Sequence, residues 1–204
     1  MARIAAGFLK GQVLVMPRHI RATADKVRQA LFNVLGGQIV DARVVDGFAG
    51  SGALGLEALS RGAKLVVFLE SHPACVKAIE RNLASIREGV IPGRWRVLRG
   101  DALRSLHILS RQAEPFDLLL FDPPYEGSLG EKALNVVATC GMLAPTGVVC
   151  VEHARRYEPP SAIGPLILIT RYRYGDTVLS VYRVGRGQAP QTARHNQAFE
   201  GSQR

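Results

Sequence analysis

The chain has 204 residues, 47% hydrophobic and 21% charged, which is enough apolar material for a folded core and excludes wholesale disorder. The length fits one domain with a small appendage. The formal charge is +9 and the pI is near 10.0, a balance that points to a polyanion or an acidic surface as partner and says nothing about the fold.

The excess sits at the ends. Residues 1–36 carry Arg3, Lys10, Arg18, Arg21, Lys26 and Arg28 against Asp25 alone. Residues 37–150 hold twelve basic and twelve acidic residues, and the two later segments, 151–185 and 186–204, carry +2 each. Arg makes up 21 of the 26 basic residues, which codon usage can explain, but codon usage does not place the excess.

In chain order, residues 3–8 and 12–15 are apolar stretches around Lys10-Gly11, the pattern of a hairpin. Lys10 also breaks any apolar run long enough for a signal peptide. A helix follows, capped by Thr23, with Asp25 in its first turn and Val27, Ala30, Leu31, Val34 and Leu35 on one face. Lys26 and Arg28 fall on the other face, and Gly36-Gly37 ends the helix.

From there strand-like and helical runs alternate: strands at 43–46, 65–69, 96–98, 117–121 and 147–151, helices at 53–61, 73–88, 102–110 and 128–140. The strands are almost wholly apolar (VVF, LLLF, VVCV), as parallel strands covered on both faces require. Repeated β-α units predict an α/β, Rossmann-like doubly wound sheet. Two last strands, 166–173 and 177–184, are joined by Tyr174-Gly175-Asp176 and predict a closing antiparallel hairpin. The longest uncharged run, Ala133 to Val151, contains Pro145-Thr146-Gly147 and reads as helix, turn and strand, not as a membrane span. Residues 185–204 have no period and are expected to be a disordered tail.

The three cysteines, Cys75, Cys140 and Cys150, form no CxxC or CxH pattern, and His72 with Cys75 is half a metal site without a second half. No metal is expected, and the thiols read as reduced and buried in a cytoplasmic protein.

Three segments carry chemistry. The first strand runs into Asp46-Gly47-Phe48-Ala49-Gly50-Ser51-Gly52-Ala53-Leu54-Gly55, a GxGxxG between a strand and a helix. Glu70 ends the next strand, 18 residues past Gly52, where a carboxylate can accept both hydroxyls of a ribose. Together these predict a nucleoside cofactor at the carboxyl ends of the strands, without separating NAD from S-adenosylmethionine. Asp46 tilts the choice: a carboxylate there repels a pyrophosphate but suits the ammonium of a methionine moiety. Asp101-Ala102, after the third strand, can take an adenine through an acceptor and a backbone N–H, although Asp101 also suits a plain helix N-cap.

The fourth strand ends in Asp122-Pro123-Pro124-Tyr125. The prolines rigidify the strand tip and expose carbonyls without donors. Asp122 adds an acceptor and Tyr125 a flat face, which together suit a heterocycle with an exocyclic amine. Two acceptors free the amine lone pair for attack on a methyl group, and Asp122 or a water chain takes the proton.

These motifs, with RATADKVRQALFNVL, VEH and YGDTVLSVYR, resemble the RsmD family over roughly residues 2–184. The resemblance implies a class I methyltransferase with a seven-stranded, mostly parallel sheet and one antiparallel strand. It implies S-adenosylmethionine as cofactor, S-adenosylhomocysteine as product, and N2 of a guanine in 16S ribosomal RNA as target. Asp46, Phe48, Gly50, Gly52, Glu70, Asp101, Ala102 and Thr23 are then the cofactor group, and Asp122, Pro123, Pro124 and Tyr125 hold the base. Arg3, Lys10, Arg18, Arg21, Lys26 and Arg28 become the RNA grip. His153, in VEH near the same rim, joins them, serves as a base or is a structural hydrogen bonder, and Arg155-Arg156 can extend the basic rim. The organisation implied is 1–36 as an RNA-binding or lid extension, 37–184 as the transfer domain and 185–204 as a tail. The expected partner is 16S RNA within an assembled or assembling 30S subunit, met by a monomer. Two departures stand out: Ala22 where the family usually has Pro, and Gly47 where a bulkier residue is common. The rival readings are an adenine-N6 DNA methyltransferase, for which the chain has no room for a target-recognition domain; a nicotinamide-dependent oxidoreductase, opposed by Asp46 and the Asp-Pro-Pro-Tyr segment; and a silent RNA-binding module, which leaves that segment unexplained.

Overall fold

Eight strands line up in the order β3-β2-β1-β4-β5-β8-β7-β6 in the computed structural model, which describes residues 2–17, 25–86, 94–124 and 128–185. The strands are β1 (Arg43–Gly47), β2 (Leu65–Glu70), β3 (Trp95–Arg99), β4 (Phe116–Phe121), β5 (Leu143–Ala154), β6 (Ala162–Ile163), β7 (Leu166–Tyr174) and β8 (Thr177–Val184). The helices are α1 (Asp25–Leu35), α2 (Ala53–Ser60), α3 (Pro73–Ser85), α4 (Ala102–Leu109) and α5 (Leu129–Cys140), and a 3-10 turn, Gly36–Ile39, follows α1. The strand order reverses direction between β1 and β4, whose parallel pairing sets Gly47 beside Phe121. Strand tips diverge at such a switch point and leave a crevice for a ligand.

The alternating side chains of the central strands feed two cores. Val44, Val66, Phe68, Leu118 and Leu120 pack with α1, α2 and α3, while Val45, Val67, Leu69, Leu119 and Phe121 pack with α4 and α5. A residue such as Phe68, wholly buried, contributes about 1.5–3 kcal/mol by leaving water. β3 is an edge strand and only half covered, so Arg96 and Arg99 can lie on its exposed positions.

β8 runs antiparallel to β5 and β7 antiparallel to β8, as the closing hairpin predicts. Its turn needs a left-handed backbone, which Gly175 supplies at φ +62°. The two-residue β6 lengthens the expected seven strands to eight by pairing with β7. Pro145-Thr146-Gly147 does not end an element. It lies inside β5 as a bulge, where the pairing steps from Phe116–Leu143 to Leu118–Val148. The long stretch before Gly147 keeps pairing because Leu143 is buried against the α4–α5 core.

The face of α1 that packs inward is rotated from the expected stripe. Val27, Arg28, Leu31, Phe32 and Leu35 are buried, while Ala30 and Val34 are only half covered. Phe32 drives the rotation: it is the largest apolar side chain on the helix, its exposure is 0%, and the Arg61 guanidinium lies 4.9 Å over its ring. Arg28 is carried inward with it. The side-chain placement of Asp25 and all of Thr23 and Ala22 lie outside the described residues, as does the 186–204 tail.

The amino-terminal arm is a hairpin in outline. Arg3 and Val13 form a bridge, and the backbone of Ile4 exchanges bonds with Gln12 and Gly11 at 3.0 and 2.9 Å. It is fastened to α2 instead of standing free. Glu57 accepts the Ala5 and Ala6 amides at 2.7 and 3.0 Å, and the Leu9 amide donates to Ser60 Oγ at 2.9 Å. Gly7 is required there, because a Cβ would sit 1.8 Å from the Ser60 carbonyl oxygen. Ala2, Ile4 and Leu14 join the same core as α1 and α2.

Candidate active site

The tip of β1 turns into α2 through three backbone positions at positive φ: Phe48 at 63°, Gly50 at 57° and Gly52 at 79°. Glycine accepts that region freely, whereas Phe48 does not, so this loop stores strain of about 1–3 kcal/mol. The Phe48 ring meets Phe121 edge to face at 6.2 Å, which ties the glycine loop to the tip of β4. Gly55, the last glycine of the motif, lets α2 press on β2: a Cβ there would lie 2.3 Å from the Phe68 ring. Gly47 has a similar reason, since its Cβ would lie 2.6 Å from Phe121. The small residue at this position is matched to an aromatic ring on the neighbouring strand.

Asp46 is 1% exposed, and its Oδ2 accepts the Gly55 amide at 2.8 Å. Burial holds its carboxyl well above the usual carboxylate range; the Gly55 N–H works against this, and the negative charges of Asp122 and Glu70 add to it. Glu70 bridges two turns: Oε2 accepts the Gly50 amide and Oε1 the His72 amide, both at 2.7 Å. Each of its oxygens keeps a second lone pair for a ligand hydroxyl. Asp101 caps α4, its Oδ1 accepting the Arg104 amide at 2.9 Å, and Ala102 is buried behind it.

Pro123 is buried and Pro124 exposed at the end of β4, with Asp122 half-buried before them. Tyr125 lies outside the described residues. Beside this turn, on the β5 side, is a cavity of about 510 Å³ bounded by the prolines, the first turn of α5 and the end of β5. It brings in residues that the sequence reading passed over. Gly130 and Glu131 line it from α5, and Tyr157 from the loop after β5. The Tyr157 hydroxyl donates to Glu131 Oε2 at 2.6 Å, and burial followed by the Glu131 carboxylate pushes the phenol pKa up, so it stays a donor. The only trace of this pair in the sequence is an acid in the first turn of the helix after the prolines.

His153 also borders the cavity but is turned into the sheet. It is 7% exposed, with Nε2 2.8 Å from Ser180 Oγ and Nδ1 3.0 Å from the Ala154 carbonyl. Burial lowers its pKa and favours a neutral ring, which makes it a structural hydrogen bonder and not a cationic RNA contact.

Among the basic residues of the arm, Arg3, Lys10 and Lys26 are exposed. Arg28 is a correction. It is 1% exposed, donates to the Arg3 carbonyl and lies 3.9 Å from the Glu57 carboxylate, so it holds the arm from within. A buried guanidinium is tolerated there because an equally buried carboxylate faces it. Arg18 and Arg21 lie outside the described residues. His72 caps α3 by accepting the Ala74 amide at 3.3 Å, and burial pushes the Cys75 thiol up to about 11, which keeps it a thiol. Cys150 is buried as expected, while Cys140 is half-buried with Sγ 3.5 Å from His107 Nδ1. No described helix is long and apolar enough to cross a membrane.

Known proteins share this fold. The family described as Conserved hypothetical protein 95 matches residues 2–183. The ribosomal RNA small subunit methyltransferase D of Escherichia coli K12 is 38% identical over 152 residues, 74% of this chain and 73% of that protein. The protein of the same name from Haemophilus influenzae is 35% identical over 152 residues, 74% and 77% of the two chains. The solved structure of the E. coli protein yhhF superposes with a TM-score of 0.77 at 33% identity, covering 90% of this chain and 97% of that one. The strand-order switch between β1 and β4, with the glycine loop and the proline turn at its tips, therefore lies in a fold shared with that structure, and the chain belongs to the RsmD family of small-subunit ribosomal RNA methyltransferases.

Proposed function

We propose that this chain transfers a methyl group from S-adenosylmethionine to the exocyclic N2 of a guanine in 16S ribosomal RNA. We place the reaction in the cytoplasm, with a monomer acting on an assembled or assembling 30S subunit. The observation that carries the reading is the grouping of three carboxyl groups at the β1–β4 switch, where Asp122 and Glu70 act together with burial on Asp46. Such a group suits a cationic ligand and repels a pyrophosphate, which favours a sulfonium- and ammonium-bearing cofactor over a nicotinamide dinucleotide.

When bound, S-adenosylmethionine supplies an electrophilic methyl on a positively charged sulfur. Asp46 would receive its ammonium, Glu70 its ribose hydroxyls, and Asp101 with the Ala102 amide its adenine. Asp122 and the Pro123 carbonyl would hold the guanine amine from two sides, which frees its lone pair for attack on the methyl group. Asp122 or a water chain beside it takes the proton that the amine gives up. Tyr125 stacks on the base in this reading. General-base help of this kind contributes about 10²–10⁴ in rate, and holding the amine in line supplies much of the rest. Residues 1–36 serve 37–184 as the RNA-facing extension, through the exposed Arg3, Lys10 and Lys26.

The test is methyl transfer to 30S subunits lacking the modification, followed by nuclease digestion and mass spectrometry, beside calorimetry with S-adenosylmethionine and NADH. N2-methylguanosine and heat with S-adenosylmethionine alone are expected; heat with NADH alone would sink the reading. Asp122→Ala should lower transfer about 10²–10⁴-fold while leaving cofactor affinity near wild type.

A further inference from the structure

The cavity beside Pro123 has the size of a small-molecule site, about 510 Å³ against the usual range of about 300–1,000 Å³. Its apolar walls are Pro123, Pro124 and Val151. Gly130 lets the first turn of α5 close on them: a Cβ there would come within 3.1 Å of Val151 Cγ1 and 3.4 Å of Pro123 Cγ. The next residue, Glu131, is thereby carried to the cavity wall. Its Oε2 is held by the Tyr157 hydroxyl at 2.6 Å, and among the described residues Oε1 takes no hydrogen bond. His153, on the same wall, has both ring nitrogens engaged by Ser180 and Ala154. The exposed Arg156 lies on the rim.

We propose that this cavity receives the extruded purine and that Glu131 reads it, accepting the N1–H of guanine while Asp122 and the Pro123 carbonyl hold N2. The proposal rests on the guanine-N2 reading above. N1–H and N2–H are adjacent donors on one edge of guanine, and both need acceptors. Adenine presents its N1 as a lone pair beside its amine, which sets an acceptor against the Glu131 carboxylate. A site that sets a carboxylate acceptor against an absent N–H disfavours the analogue, because the acceptor and the purine lone pair then face each other unpaired. Tyr157 orients the carboxylate and is a positioning residue. Arg156 is placed to meet a phosphate flanking the extruded base, a contact that positions without reading sequence.

The experiment uses the full chain and 30S subunits lacking the modification, with N2-methylguanosine and N6-methyladenosine both quantified after digestion. Glu131→Gln should lower the rate of guanine methylation about 10- to 100-fold, the loss of a hydrogen bond to a charged acceptor. It should leave S-adenosylmethionine affinity and the melting temperature unchanged. Because the glutamine amide can donate to adenine N1, the share of methylated adenine should rise. Tyr157→Phe, which keeps the carboxylate but removes its orienting hydroxyl, should raise KM for subunits several-fold with kcat held. Guanine methylation by Glu131→Gln at the wild-type rate would overturn the role of Glu131 and leave the enzyme's function standing. A wild-type chain that methylates no guanine would take down the guanine-N2 reading and this proposal together.

Discussion

Asn82 grips Val15 from both sides: its Oδ1 accepts the Val15 amide at 2.7 Å, and its Nδ2 donates to the Val15 carbonyl at 3.1 Å. The same Nδ2 donates to the Ser51 carbonyl at 3.1 Å. One buried amide on α3 therefore fastens the end of the basic arm to the glycine loop. All three partners are backbone groups, so the contact fixes their spacing regardless of the side chains there. Replacing Asn82 with Ala strands these groups at a cost of about 2 kcal/mol, which for a chain of this size lowers the melting temperature by about 4–8 °C. S-adenosylmethionine affinity should fall with it, because Ser51 lies between Gly50 and Gly52. Calorimetric affinity equal to wild type would disconnect the arm from the cofactor loop.

Asp46 should make S-adenosylmethionine affinity depend on pH. Its raised pKa means that the free folded protein holds a proton there at a pH where an ordinary aspartate has lost it. The Asp46 contribution to stability is full below the ordinary aspartate pKa and is lost as pH rises through the raised value. A ligand ammonium favours the ionised form, so binding releases that proton. Affinity should rise with pH up to the raised pKa and then level. Asp46→Asn should bind more weakly and lose the slope, as calorimetry across a pH series in buffers of different ionisation heat would register.

The contact between Gly47 and Phe121 predicts an unusual sensitivity. Gly47→Ala pushes a methyl group to 2.6 Å from the Phe121 ring and should cost about 1–3 kcal/mol. Adding Phe121→Leu should restore part of the loss, because the ring is what the methyl meets. Additive losses in the double variant, read by denaturant unfolding, would show that the two positions are not coupled.

Lys26 and Arg28, two residues apart, should separate stability from RNA binding. Arg28→Ala leaves the Glu57 carboxylate short of one buried partner and should destabilise by about 3 kcal/mol. Removing the charges of Arg3, Lys10 and Lys26 together should leave the melting temperature unchanged and flatten the salt dependence of RNA binding. A salt slope equal to wild type in that triple variant would remove the arm from RNA recognition.

The strand and helix order was legible because long apolar runs alternate with amphipathic ones, and the switch point follows from that order. The glycine loop was legible because Gly50 and Gly52 supply the left-handed backbone of a tight strand-to-helix turn, whereas the demand that Gly55 answers, the Phe68 ring on β2, belongs to tertiary packing. The α1 face was misjudged by one position because the apolar stripe alone ignores which large ring the neighbouring elements can take, and Phe32 settles that with α2 and Arg61. The bulge at Pro145-Thr146-Gly147 looked like a turn because local residues cannot tell whether a partner strand continues past them.

The sequence by itself determined the sheet architecture, the carboxylates at the strand tips and the proline turn at β4, because periodicity and backbone chemistry are local properties. Only the tertiary structure decided which charges are available. Arg28 faces Glu57 inside the fold, His153 faces Ser180, and Glu131 meets Tyr157 beside the proline turn. Those partners lie 26 to 29 residues apart, across helices and strands whose relative rotation is set by side-chain packing. The net charge of +9 could be counted from composition, but whether a given arginine meets RNA or a buried carboxylate depends on the burial that packing imposes.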